Sequence, residues 1–204
     1  MKITAIKPQK KRDDRVSVFV DGKYSFSLSK AQLNELNISV DQEVTEADIA
    51  GFKRESDDGK LYDRVLMWLA RSPRSVRETQ LYLKRKDATP QQIDQFVERL
   101  LKLRYLDDEA FTESFVRSRR QLKSRSQRKL RSELYQKGVD AKIIDTVLAE
   151  DETDDRDVLR ELLAKKRKQS RYQDEQKLIA YAARKGFNYA DIKTVIDQLE
   201  LDSG

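Results

Sequence analysis

The sequence predicts a mainly α-helical protein: three tandem three-helix repeats stacked into an elongated, curved body, preceded by a small N-terminal β-hairpin or three-strand subdomain. Three observations carry this reading. Period-two alternation is confined to the N-terminal segment, apolar residues recur at helical spacing from about residue 57 onward, and the helical part is weakly self-similar at shifts of about 50 residues.

Val16-Ser17-Val18-Phe19-Val20 and Tyr24-Ser25-Phe26-Ser27-Leu28 alternate on either side of Asp21-Gly22. An Asp-Gly pair supplies the positive φ angles of a tight primed turn, so the two runs read as a hairpin, with Ile3 to Ile6 as a third strand. Ser29 is placed to cap a short helix over Lys30 to Leu36. Thr45 with Asp48 three residues on resembles a capping box that opens another through Ile49 and Phe52.

Helical spacing then continues, as in Leu61, Val65, Leu66, Leu69 and in Ile93, Phe96, Val97, Leu100, Leu101. A shift of 51 residues brings Ser75, Leu83, Thr89, Ile93, Phe96 and Val97 onto Ser126, Leu134, Asp140, Ile144, Val147 and Leu148. A further shift of 48 lands on Asp174, Ala182, Asn188, Ile192, Val195 and Ile196. Ser75, Ser126 and Asp174 are N-cap types, as are Thr89, Asp140 and Asn188, and each cap stabilises its helix by about 1 kcal/mol. Gly138 and Gly186 follow lysines at helix ends, where a left-handed residue terminates the helix; Asp87 fills that position in the first copy, less comfortably.

Each copy is thus expected to hold three helices: 59–71, 76–86 and 90–104; then 108–123, 127–137 and 141–149; then 155–168, 175–185 and 189–200. The corresponding division is 1–56 for the N-terminal subdomain and linker helix, then 57–106, 107–152 and 153–204 for the repeats. A unit of this size buries little alone, and stacking offers a docking face for something long.

Of 204 residues, 38% are hydrophobic and 38% charged, with neither cysteine nor histidine. That excludes a disulfide frame, a thiolate nucleophile, cysteine-ligated zinc and the commonest general base. No glycine-rich phosphate loop is present. Neither a catalytic set nor a metal or cofactor site is expected. The N-terminus is charged rather than apolar and no stretch reaches the roughly 18 apolar residues of a membrane span, so a cytoplasmic protein with no membrane contact is expected, acting as a monomer.

Tyr105-Leu106-Asp107-Asp108-Glu109, then Phe111, Phe115-Val116-Arg117, Arg119-Arg120, Glu133-Leu134 and Lys137-Gly138-Val139 resemble the signature of RecX proteins. The resemblance covers about residues 60 to 200, and Asp21 to Phe26 resembles the N-terminal extension of some members. RecX proteins regulate the bacterial recombinase RecA, usually as inhibitors. The resemblance implies binding along the groove of a RecA filament on single-stranded DNA, obstructing growth, ATP turnover, strand exchange and coprotease action in DNA repair, recombination and the SOS response. The sequence departs from the family pattern at Arg104, where glycine is usual, and in the missing Lys-Gly ending of the first copy.

Net charge is +6, and the imbalance is local. Between 117 and 137 lie Arg117, Arg119, Arg120, Lys123, Arg125, Arg128, Lys129, Arg131 and Lys137 against Glu133 alone. The run from Arg117 to Arg131 is the first candidate for contact with the filament or its DNA, since arginines fork onto phosphates or carboxylates. The bland alternative is a solvated helical face. Lys165, Lys166, Arg167, Lys168 and Arg171 form a second cluster at a helix end, where cations also oppose the macrodipole. The rival function is a general nucleic-acid-binding helical module, able to bind free DNA without RecA. The acids Glu150-Asp151-Glu152, Asp154-Asp155 and Asp157 read as a linker that caps the next helix. Asp107, Asp108 and Glu109 read as caps, and Trp68, Tyr82, Tyr105, Phe111, Phe115, Phe19, Tyr24 and Phe26 as packing.

Overall fold

The computed structural model describes residues 1–10 and 12–201; Lys11, residues 202–204 and the side chain of Lys123 lie outside the description. Three strands, β1 (Ile3–Gln9), β2 (Arg12–Val20) and β3 (Lys23–Ser29), form an antiparallel sheet in that order. Asp21 and Gly22 take φ angles of 47° and 80°, as a two-residue primed turn requires. Val16, Val18, Val20, Phe26 and Leu28 bury one face of the sheet with Ile3, Ile38, Val44 and Ile49. Of the hairpin aromatics only Phe26 serves that core. Phe19 and Tyr24 pair edge to face across the strands, 6.1 Å between centroids, outside it.

Helix α1 (Lys30–Glu35) opens with a complete capping box between Ser29 and Gln32. Helix α2 (Glu46–Leu69) opens with another between Thr45 and Asp48. This helix differs from expectation, because the linker helix and the helix expected at 59–71 are one continuous element. Gly59 does not break it: a Cβ there would lie 2.4 Å from the Gln32 amide, so the glycine admits the Gln32 side chain against the helix. Gln32 uses that approach to donate to the Glu55 carbonyl at 2.6 Å. Buried Arg15 ties the sheet to α2 through Asp63 at 3.1 Å and the Ser27 carbonyl at 3.0 Å.

The remaining helices are α3 (Val76–Lys84), α4 (Pro90–Lys102), α5 (Asp108–Lys123), α6 (Gln127–Gln136), α7 (Ala141–Ala149), α8 (Asp155–Arg167), α9 (Glu175–Arg184) and α10 (Tyr189–Leu201), with a 3-10 turn at Ser170–Tyr172. All six expected caps act. Ser75, Thr89, Ser126, Asp140, Asp174 and Asn188 each accept a backbone N–H from the first turn of the helix that follows. The helix-ending positions are left-handed too: Asp87 at φ 61°, Gly138 at 76° and Gly186 at 101°, with Arg104 at 57° where a glycine is usual.

Contacts divide the chain into two compact units, one of Met1–Ser72 with Leu83–Phe96 and one of Pro73–Tyr82 with Val97–Gly204. In the first, Tyr62 packs edge to face on Phe96 at 5.4 Å. In the second, α5, α6 and α7 enclose Phe111, Phe115, Val116, Leu130, Leu134, Val139, Ile144, Val147 and Leu148. Leu159, Leu162, Leu163, Leu178, Ala182, Phe187, Ile192, Val195 and Ile196 fill the equivalent space between α8, α9 and α10.

Candidate functional site: the basic helices and their joints

Two joints of the same design bring the basic residues together. In the first, Ser75 donates its hydroxyl to the Lys137 carbonyl at 2.7 Å, and the Val76 N–H donates to Asp108 at 2.9 Å. In the second, the Ser126 N–H donates to the Lys185 carbonyl at 3.2 Å, and the Gln127 N–H to Asp155 at 2.9 Å. The N-terminus of α3 or α6 thus receives the Lys-Gly end of the next repeat's second helix and the first carboxylate of its first helix. Asp107 and Asp154 cap their own helices, so each adjacent aspartate is left to cap a neighbour. Burial, with the nearby charges of Asp107 and Glu78, raises the Asp108 pKa, opposed by the Val76 N–H.

The run Arg117 to Arg131 divides by what each cation touches. Arg120 is 8% exposed; its Nε meets Asp151 at 2.8 Å and its Nη1 meets Asp155 at 2.6 Å and the Arg125 carbonyl at 2.8 Å. Arg119 lies over the Phe115 ring at 4.4 Å and pairs with Glu133 at 3.0 Å, which Arg125 shares at 3.3 Å. Arg131 pairs with Asp145, and that hydrogen bond raises its already high pKa. Arg128 donates to the Gly186 carbonyl at 3.2 Å. Arg117 is exposed, and neither it nor Lys129 has a carboxylate partner among the described residues. Lys123 ends α5, with its side chain outside the description.

The run therefore carries more structural work than its composition suggests. Its acidic partners Asp145, Asp151 and Asp155 come from α7 and beyond, which inspection of the run alone does not reveal. A groove of about 390 Å³ beside Arg117 is lined also by Glu113, Val116, Val147 and Glu150, so its charge is mixed.

In the second cluster Lys165 faces Glu161 at 3.8 Å with both side chains exposed, and Arg167 faces Glu200 at 3.7 Å. Lys168, the C-cap of α8, is exposed. Lys166 stands over both Tyr172 and Tyr181, 5.2 and 5.0 Å from their centroids. Arg171, a member of the same cluster in the sequence, lies 5.9 Å from the Tyr172 ring, and Lys185, not among the candidates, lies 5.4 Å from that of Tyr181. Tyr105, expected to pack, is 58% exposed, whereas Phe111 and Phe115 are buried.

Family comparisons match this architecture segment by segment. Models described as "Regulatory protein RecX N-terminal domain" and as the first, second and third three-helix domains of RecX match residues 1–45, 62–100, 107–148 and 153–196. The chain belongs to the RecX family. Regulatory protein RecX of Bacillus subtilis (strain 168) is 30% identical over 208 residues, covering 98% of this chain and 78% of that one. Its counterpart from Oceanobacillus iheyensis is 32% identical over 209 residues, covering 98% and 77%. A crystal structure of regulatory protein RecX superposes with a TM-score of 0.76 at 26% identity, covering 96% of this chain and 98% of that one. RecX from Lactobacillus salivarius gives a TM-score of 0.58 at 25% identity, covering 71% and 97%. The RecX family is a regulatory one by name. Among the described residues no acidic cluster is arranged to hold a metal ion, and no helix is long and apolar enough to cross a membrane.

Proposed function

We propose that this protein acts in the cytoplasm by binding a RecA filament on single-stranded DNA and inhibiting its ATP turnover, strand exchange and coprotease action. It acts by occupancy and not by catalysis. The observation that carries the reading is the ordered match of all four RecX segments along one chain. The cations without a carboxylate partner among the described residues, Arg117, Lys129, Lys166 and Lys168, supply a surface for DNA phosphate or acidic protein. Arg120, Arg119, Arg125 and Arg131 serve first to hold the repeats in shape.

The test is DNA-dependent ATP hydrolysis by RecA, with this protein well below the RecA concentration and DNA in excess of any site it could mask. Loss of hydrolysis supports filament regulation. Hydrolysis that persists until the protein can coat the DNA favours the general nucleic-acid binder. That second reading predicts a steep salt slope, about −5 if roughly six phosphates are neutralised.

A further inference from the structure

The groove beside Arg117 lies within the middle repeat, between α5 and the C-terminal end of α7. Glu113, Arg117 and Gln121 line it at four-residue spacing on the exposed side of α5, and they form a stripe about 12 Å long. Glu150, the exposed C-cap of α7, stands on the other wall. None of these four side chains has a hydrogen-bonding or ionic partner among the described residues. Glu113 and Arg117 even have the spacing of a helical ion pair, yet none forms between them.

Behind the stripe, charge is used internally. Arg120 is held by Asp151 at 2.8 Å and Asp155 at 2.6 Å, and Asp151 also accepts the Thr153 hydroxyl at 2.5 Å. Val116 and Val147, both from the core of the repeat, supply the apolar floor. Two carboxylates and one guanidinium are therefore left for a ligand, on walls whose shape is set before it arrives.

A phosphate backbone matches this pattern poorly. It would gain one arginine and meet two carboxylates, beside the carbonyl end of α7, which is the negative end of a helix dipole. A protein segment can answer each charge separately, with a carboxylate on Arg117, a basic side chain toward Glu113 and Glu150, and a small apolar side chain over the two valines. The stripe is as long as about four residues of extended chain. We infer that this groove docks a short protein segment carrying both a carboxylate and a basic side chain, contributed by the RecA protein of the filament and not by its DNA. The inference rests on the filament reading and deepens it by assigning Arg117 to protein contact.

The experiment uses Glu113→Lys/Glu150→Lys, which leaves Arg117 in place and makes the rim wholly basic. Two quantities are read: the concentration that halves ATP hydrolysis by RecA on DNA it fully covers, and the affinity of the protein alone for a fluorescent single-stranded oligonucleotide, by anisotropy. The variant is expected to need at least about tenfold more protein for half-inhibition, while binding the oligonucleotide as tightly as the parent or more tightly. Glu113→Gln/Glu150→Gln, which keeps side-chain size and adds no cation, should raise the half-inhibition concentration by about threefold, and it decides the matter if the lysine variant melts differently from the parent. Unchanged half-inhibition overturns the docking site and leaves filament regulation intact. Half-inhibition that improves along with oligonucleotide affinity also overturns it and gives the groove to DNA. Inhibition and oligonucleotide binding lost together overturn it as well, because the loss is then not specific to protein contact. Absence of inhibition by the parent protein overturns both the filament reading and the docked segment.

Discussion

Asp155, the first residue of α8, accepts the backbone N–H of Gln127 at 2.9 Å and the guanidinium of Arg120 at 2.6 Å, so one carboxylate caps a helix and neutralises a nearly buried cation of the preceding repeat. Asp155→Ala should lower stability by about 2 to 3 kcal/mol, combining a lost cap with a lost charge-assisted hydrogen bond. The loss stays moderate because Asp151 still holds Arg120. A urea melt that shows no change would mean that water replaces Asp155 at both contacts.

Asp108 makes the equivalent cap at Val76, with its pKa raised chiefly by burial. An acid whose folded pKa is raised contributes stability that is fully present below its unfolded pKa and lost as pH rises through the folded one. Asp108→Asn retains an acceptor for Val76 without the charge. The variant should therefore gain stability relative to the unchanged chain between acid and neutral pH, read as a widening difference in urea midpoint. A difference flat with pH would contradict the raised pKa.

Gly186 and Gly138 both have positive φ and both admit a close neighbour. A Cβ on Gly186 meets Ser126 Oγ and the Lys129 Cβ, and one on Gly138 meets the Cβ and Cδ of Arg77, so each glycine faces atoms near the backbone of the helix it touches. Gly186→Ala and Gly138→Ala should each cost about 2 to 3 kcal/mol, from backbone strain plus overpacking. Thermal melts that show no loss in either variant would mean that the contacting side chain moves aside freely.

Leu134 and Ile144 are fully buried in the middle repeat. Replacing either by alanine should lower stability by about 2 to 5 kcal/mol, measured by denaturant titration, through lost transfer energy and the cavity left behind.

The arginines of α5 should separate by phenotype. Arg117→Ala should weaken inhibition of RecA ATP hydrolysis with an unaltered melt, because its side chain is exposed and lacks an acidic partner among the described residues. Arg120→Ala should lower the melting temperature, since it strands Asp151 and Asp155. Equal inhibition by the Arg117 variant and the unchanged protein would remove that residue from the interface.

Elements whose determinants lie within a few residues were legible in the sequence. The Asp21-Gly22 turn, the boxes at Ser29 and Thr45, the six repeat caps and the left-handed Asp87, Gly138 and Gly186 all follow from local backbone chemistry. The threefold shift was legible for the same reason, because caps and buried apolar positions recur wherever the same unit is built. The continuity of α2 was not legible, because the Gln32 side chain that packs against the helix at Gly59 lies 27 positions away along the chain.

What only the tertiary structure decided was the use of each charge. Glu133, Asp145, Asp151 and Asp155 reach back across 8 to 35 positions to claim arginines. Coulomb attraction acts through space and depends on burial, so a cation's partner cannot be read from its neighbours along the chain. Composition determined that this protein is basic and helical; packing decided which of its cations hold it together.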